Sequence, residues 1–432
     1  MAVIVIAITV LLGLYMAWSI GANDVANSMA AAVGSRSISI KRAIIAAGLC
    51  EFAGAVLVGA HVTDTVRKGI VSPEHFQVSP ETLALGMASA LLAAAVWLHL
   101  ATWMGMPVST THSIVGAVAG FGVIAAGWGA VHWAKIGHIV ISWVVSPVAG
   151  GVIAFVLFKL ISWLILGRER PAKAAVRITP FIVFSTVLVV VLATIYKGLG
   201  HIIAGKAAWL TGEVAALSSI GIGVVAGLAA RILIERHLRG KHKLPLPQQL
   251  ELVEGVFAPL VVITSCSVAF AHGANDVANA VGPLAAVVDI IRTGTVKMQV
   301  YVPAWVLGLG GAGIVLGLAT YGYRVMHTVG TRITQMTPSR GVAANIAATA
   351  TVLVCTRLKL PVSTTHTLVG AILGIGFARG LGAVNRQITQ NIFGSWLVTV
   401  PAAAVLAVVF FLAGRMLLMV RLAEILGSSA VP

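Results

Sequence analysis

The chain reads as an all-α, polytopic membrane protein: about twelve transmembrane helices in two inverted repeats, with broken or re-entrant helices at the centre. Three observations predict this. Of 432 residues, 59% are apolar and only 10% charged, where a soluble domain carries about 25% charged residues. Apolar runs recur from end to end, at about the 20-residue length that lets a helix cross ~30 Å of hydrocarbon. Finally, two polar words each occur twice. Gly-Ala-Asn-Asp-Val-Ala-Asn fills residues 21–27 and 273–279, and Pro-Val-Ser-Thr-Thr-His fills 107–112 and 361–366, spacings of 252 and 254. Polar words duplicated where polar groups are costly mark a binding site built from two equivalent halves.

Apolar runs and turn residues place spans near 2–20, 43–63, 82–104, 107–127 and 136–166, then 178–196 and 213–233. Five more follow at 250–272, 301–323, 341–358, 361–378 and 390–420. The run 3–18 lacks a basic leader and leads directly into a polar word, so it reads as a first membrane helix rather than a signal peptide. Five spans followed by two make the second set of five start from the opposite side, so the repeats are inverted. The chain divides into a first repeat (1–166), two connecting helices with a basic loop (167–249), and a second repeat (250–432).

The net charge of +16 would suggest nucleic acid in a soluble chain, but here the basic residues belong to loops and report orientation. With the N-terminus outside, inside loops hold 17 lysines and arginines, against 11 scattered over outside segments. This bias places both termini outside. The loop 231–249 reads as a cytoplasmic connector, and 65–80 as the longest outside loop of the first half. Cys50, Cys266 and Cys355 lie far apart in apolar segments, without CxxC spacing, and read as buried free thiols. Trp103, Trp133 and Trp143 fit interfacial belts.

The first word suits a helix interior poorly, because Asn and Asp compete for backbone hydrogen bonds and Gly is a weak helix former. A break there exposes carbonyl oxygens, which a membrane tolerates only beside a cavity or a bound ion. Asp24 and Asp276 each cost roughly 3 kcal/mol or more at mid-membrane. Carboxylate, amide and carbonyl oxygens suit a hard cation such as sodium. The second word reads as a helix start, with Pro in the first turn and a hydroxyl cap. Its hydroxyls and free N–H groups form an anion site at a positive dipole end. The small apolar residues that follow, 114–120 and 368–374, fit a tightly packed helix.

Plainer readings stand beside these. An intramembrane Asp can be a structural group paired with a neighbour, and Ser-Thr-Thr can be interhelical hydrogen bonding. His112 and His366 read as braces for the local backbone rather than metal ligands. Glu51 sits in an apolar run with no partner nearby in sequence and reads as functional, while Asp64 and Arg67 read as an ion pair at a helix end. Two carboxylates facing an anion would repel it in low dielectric, so cations or protons must lie between. That points to symport of an anion with cations.

At these residues the chain resembles the inorganic phosphate transporter (PiT) family of sodium- or proton-coupled phosphate symporters. Both copies of both words carry the likeness, together with the run from Cys50 and Glu51 through His61 and Asp64. The resemblance implies alternating access driven by an ion gradient, in a homodimer embedded in the lipid bilayer. It implies phosphate ligands at Asp24, Asn27, Ser109, Thr110, Thr111, Asp276, Asn279, Ser363, Thr364 and Thr365. Sodium would be held by Asn23, Asp24, Asn275 and Asp276, with Glu51 at an acidic position used in transport. Asn345 departs from the pattern, since many relatives carry an acid there, which leaves the coupling ion open.

The expectation is therefore a secondary active importer of inorganic phosphate coupled to sodium in a bacterial inner membrane, with no catalytic residues, no cofactor beyond coupling ions and no nucleic-acid partner. A proton-coupled permease for metal–phosphate or sulfate is the nearer alternative. The remote one is an intramembrane aspartyl hydrolase built on Asp24 and Asp276.

Overall fold

The computed structural model describes residues 2–59, 70–195, 212–296, 302–357 and 362–426. Asp64, Arg67 and Pro361 lie outside the described residues. Long helices dominate, and each expected span has a counterpart: α1 (Ala2–Gly34), α2 (Ile40–Val58), α3 (Pro80–Trp103), α4 (Thr110–Ala126), α5 (Trp133–Leu166) and α6 (Pro171–Thr194). They continue as α7 (Gly212–Leu238), α8 (Leu246–Thr293), α9 (Ala304–Tyr321), α10 (Pro338–Arg357), α11 (Thr364–Arg379) and α12 (Arg386–Leu426). Among the described residues, eight are long and apolar enough to cross a membrane, namely α1, α3, α5, α6, α7, α8, α9 and α12. The 16 residues of α11 span about 24 Å at 1.5 Å per residue, short of ~30 Å of hydrocarbon.

The first word does not break its helix, contrary to the expectation. In α1 it forms a single π-helical turn at Gly21–Val25, and α8 runs through its copy as unbroken α-helix. The polar side chains find partners on other segments (Thr102, Val108, Thr110 and Thr365 for α1, Thr111 for Asn279) or, for Asp276, on its own helix at His272 and Asn275, so the backbone keeps its own ladder.

The second word behaves as a helix start in both copies. Ser109 precedes α4 with extended backbone, and its hydroxyl accepts the His112 N–H at 3.3 Å. Ser363 does the same for α11, accepting the His366 N–H at 3.2 Å. Each short helix then ends at a glycine with positive φ, Gly127 (83°) and Gly380 (118°), a conformation that glycine adopts without steric cost. Backbone bonds Ser72 N–H to Ala130 (3.0 Å) and His132 N–H to Ile70 (2.9 Å) hold the start of α3 near the end of α4. The two helices therefore form a hairpin whose tip, residues 104–109, turns towards α1.

The packing of the short helices is crosswise. Gly116 and Gly120 of α4 lie against the carbonyls of Val400 and Ala404 on α12. At matching positions, Gly370 and Gly374 of α11 lie against the carbonyls of Pro147 and Gly151 on α5. Glycines four apart let backbones approach closely where hydrophobic driving force between helices is weak. Elsewhere Gly21 and Gly34 of α1 meet the carbonyls of Ile314 and Gly330, so the contacts advance together and α1 runs parallel to α9 and its continuation. Gly54 and Gly59 of α2 meet Phe270 and Val277 of α8 in the same sense, so these helices are also parallel.

Leucine at Gly120 or Gly374 should destabilise the protein by about 1–3 kcal/mol through overpacking, seen as a lower Tm in detergent. Gly382→Ala, where an added Cβ meets nothing within 4 Å, should shift stability by less than about 0.5 kcal/mol. Equal melting of all three variants would contradict the crosswise interlock.

Candidate functional site

The π turn of α1 and the tips preceding α4 and α11 meet in the interior. Asn23, Asp24 and Asn27 are all buried, with Asp24 3% exposed. Asn23 is the fastener for the first hairpin. Its Nδ2 donates to Thr102 Oγ1 (2.9 Å) and to the Met106 carbonyl (3.0 Å), and its Oδ1 accepts the Val108 N–H (3.0 Å).

Asp24 is the hub. Its Oδ2 accepts the Thr110 backbone N–H at 3.3 Å and the Thr110 hydroxyl, and its Oδ1 accepts the Thr365 hydroxyl. Thr110 opens α4, so the carboxylate lies at the positive end of that helix dipole. The protein's own carboxylate thus rests in an anion-binding position made by both halves of the chain.

The two asparagines that close the first word make matching contacts. Asn27 Nδ2 donates to Thr365 Oγ1 at 3.2 Å, and Asn279 Nδ2 donates to Thr111 Oγ1 at 3.3 Å. Each reaches the other half's second word, and the four residues occupy equivalent positions in the two copies. Asn27 Oδ1 has no hydrogen-bond partner among the described residues.

Asp276 breaks the symmetry. Its Oδ2 lies 2.8 Å from His272 Nδ1, and its Oδ1 accepts from Asn275 Nδ2 at 2.9 Å. Thr364 Oγ1 is 3.4 Å from the same His272 nitrogen, so the imidazole stands where a direct Thr364–Asp276 contact would parallel Thr110–Asp24. The position in α1 equivalent to His272 is Ile20. Sequence reasoning missed His272, although a histidine four residues before an aspartate on one helix shares its face.

Glu51, on α2, is 1% exposed, and neither carboxyl oxygen has a hydrogen-bond partner among the described residues. Its backbone carbonyl packs against Gly273, the first residue of the α8 word. A buried carboxyl without a partner is costly, so this group calls for a bound cation or a proton.

Ser109 and Ser363 hold the tips through their caps, while Thr111, Thr364 and Asn275 are only half-buried and form the more open side of the centre. Behind the tips, the rings of His112 and His366 meet edge to face at 4.7 Å, and His366 stacks on Trp396 at 3.7 Å. Trp396 Nε1 donates to the Pro107 carbonyl at 2.8 Å. Trp143 does not belong to an interfacial belt: it packs 5.0 Å from His112, whereas Trp103 and Trp133 are exposed at helix ends. Asn345 joins α10 to α8 through Thr264 Oγ1 (3.0 Å) and Ser265 Oγ (2.9 Å). Cys355 is buried, whereas Cys50 and Cys266 are only half-buried. No group of three or more His, Cys, Asp or Glu side chains that could hold a metal ion occurs among the described residues.

Membrane-length apolar helices around a buried polar centre define a multi-pass membrane protein with an interior polar site. The model of the phosphate transporter family matches residues 20–407. A predicted phosphate permease of Thermococcus kodakarensis is 44% identical over 407 residues, covering 94% of this chain and 96% of that one. The chloroplastic inorganic phosphate transporter 2-1 of Arabidopsis thaliana is 41% identical, covering 93% of this chain and 71% of the relative. A solved structure described as the sodium-dependent phosphate transporter superposes with a TM-score of 0.84 at 42% identity, covering 96% of this chain and 99% of its own. The chain belongs to the phosphate transporter family. Its relatives are transporters and permeases, not enzymes, which removes the hydrolase alternative.

Asn23→Ala should lower Tm markedly, by about 1–3 kcal/mol of stability, because it leaves buried partners at the hairpin tip unsatisfied. Asn275→Ala removes one hydrogen bond from a half-buried side chain and should cost less than about 1 kcal/mol. Thermal unfolding of the two purified variants checks this, and a reversed order would contradict the assignment of Asn23 as the fastener.

Proposed function

We propose that this protein is a secondary active importer of inorganic phosphate, driven by cation symport with sodium as the coupling ion. The observation that carries the reading is the grip on Asp24 by the start of α4 and by Thr365 of α11: an anion cradle to which both halves contribute. In this reading the hydroxyls of Thr110, Thr111, Thr364 and Thr365 turn to phosphate oxygens when substrate enters. Asn27 and Asn279 donate from the flanks, and Ser109 and Ser363 keep the tips wound. Asp24 and Asp276 accept the hydrogen that phosphate carries near pH 7. Sulfate offers no such hydrogen, which favours phosphate.

Charge balance requires a cation. Two unit charges 4 Å apart repel by about 4 kcal/mol at an effective dielectric of about 20, so an anion beside Asp24, Asp276 and Glu51 needs neutralising partners. Amide and carboxylate oxygens of Asn23, Asp24, Asn275 and Asp276 suit sodium, and the similar solved protein is described as sodium-dependent. The contact of His272 with Asp276 favours a second reading, in which protons do this work through His272, Asp276 and Glu51.

Alternating access follows from the architecture we propose: inverted repeats at 1–166 and 250–432 joined by 167–249, in a homodimer of the cell inner membrane with both termini outside. The parallel pairs α1–α9 and α2–α8, together with crosswise packing of α4 and α11, support that inversion.

Radiolabelled phosphate uptake into proteoliposomes tests the reading. An inward sodium gradient should raise accumulation at least tenfold over choline. Asp276→Asn and Glu51→Gln should abolish that accumulation while leaving insertion intact. Uptake driven by protons alone would select the second reading, and near-wild-type uptake by Asp276→Asn would contradict both.

A further inference from the structure

The turns that join α5 to α6 and α7 to α8, together with the helix ends beside them, carry a dense positive charge. Residues 168–177 hold four lysines and arginines and residues 231–243 hold five, each stretch with a single glutamate. All but Lys241 are exposed. The polar centre makes no use of them.

Packing brings the two stretches together. Gly223 of α7 lies against Phe184 of α6, and Gly227 lies against the Pro180 carbonyl. Four residues forward on α7 are thus four residues back on α6, so the pair is antiparallel. Continued along α7, this register sets Arg231 level with Arg177, and Arg236 level with Pro171 and Arg170 at the start of α6. Gln249 completes the junction from a buried position. Its Oε1 accepts the Ala172 N–H at 3.3 Å, and its Nε2 donates to the carbonyls of His242 (3.1 Å) and Leu244 (2.7 Å). The turn that bears Lys241 and Lys243 is thereby pinned on the first turn of α6, beside Lys173.

Like charges gathered at one level repel. Among the described residues, none of these lysines and arginines lies within 4.0 Å of a carboxylate. The crowding calls for an anion from outside the chain, and its position identifies the source. The membrane-length helices α5, α6 and α7 each have an end here, so the cluster lies where hydrocarbon meets water. Trp163, 65% exposed, marks that boundary on α5, with the Arg168 guanidinium 5.2 Å from its ring centre. Ile232 and Leu233 are exposed next to Arg231. Arg177 and Arg231 stand nearly two turns further in, and long basic side chains reach back to the interface from such positions.

We propose that this junction binds the headgroup of an anionic phospholipid, which bridges the start of α6 and the end of α7. Guanidinium groups suit its phosphate, because their paired N–H groups match two oxygens at once. An anionic lipid brings net negative charge, whereas the ammonium of a zwitterionic lipid would add one more cation to the crowd. The bound lipid braces the two helices that connect the first half of the chain to the second. This binding does not rest on the phosphate reading.

The test uses the full chain in detergent, given an equimolar mixture of dioleoyl phosphatidylglycerol and dioleoyl phosphatidylcholine, with retained lipid counted by native mass spectrometry. Wild type should retain phosphatidylglycerol at least fivefold over phosphatidylcholine. The variant Arg168→Gln/Arg170→Gln/Arg236→Gln/Arg239→Gln should bring that ratio close to one. The variant Lys41→Gln/Arg42→Gln/Arg332→Gln/Arg386→Gln removes as many exposed charges elsewhere and should keep the wild-type ratio. Equal retention of the two lipids by wild type would overturn the site, whether or not either variant folds. Equal ratios in the two variants would also overturn it, since net charge alone would then set the preference. Displacement of phosphatidylglycerol by inorganic phosphate, at an ionic strength where chloride displaces none, would assign the cluster to a free anion and overturn the lipid.

Discussion

A carboxylate buried among hydrocarbon must be met by hydrogen-bond donors, and the centre of this protein is arranged by that demand at Asp24. The donors come from two places far apart in sequence, the start of α4 and the Thr365 hydroxyl of α11. Meeting the demand fixes where both helix tips stand, and the tips in turn fix the half-buried hydroxyls Thr111 and Thr364 against Asn279 and His272 of α8. Asn23 fastens the first tip through three hydrogen bonds. The same groups that satisfy Asp24 suit an anion, because helix N-termini and hydroxyls bind negative charge whatever its source. Under the proposed function, holding the protein's own carboxylate and holding phosphate are competing uses of one set of donors.

Keeping two short helices in register without a hydrophobic drive between them is the second requirement. It is met by glycine ridges that place backbone against backbone, each on a long helix of the other half. The arrangement is nearly symmetric in Asn27 and Asn279, and in the capping serines. It is asymmetric in His272 and Glu51: their equivalents in the other half are Ile20, by the spacing of the repeated word, and Ile314, by matching glycine contacts. A symmetric cradle with an asymmetric set of titratable groups suits a carrier that binds one anion and separate coupling ions.

Much of this could be read in the sequence because duplication exposes function where composition hides it. The helix starts at Thr110 and Thr364, the capping serines and the closely packed glycines follow from local rules that act within four residues. The intact helix at the first word did not follow, because its side chains are satisfied by Thr102, Val108, Thr110 and Thr365, and no local rule reveals partners that distant. Trp143 was misread for a similar reason: a belt tryptophan and one packed on His112 look alike in an apolar run. The isolation of Glu51 could be read, since an acid in an apolar stretch has no local partner, whereas its placement beside Gly273 depends on the packing of α2 on α8.

The central claim is that phosphate and cation share one charge-balanced site formed by both halves. The affinity of the purified protein for phosphate, measured by equilibrium binding over a range of sodium concentrations at fixed ionic strength, tests it most directly. The account predicts that Kd falls steeply as sodium rises, because bound cations neutralise the carboxylates that otherwise repel the anion. A Kd independent of sodium, and equally of pH, would contradict it.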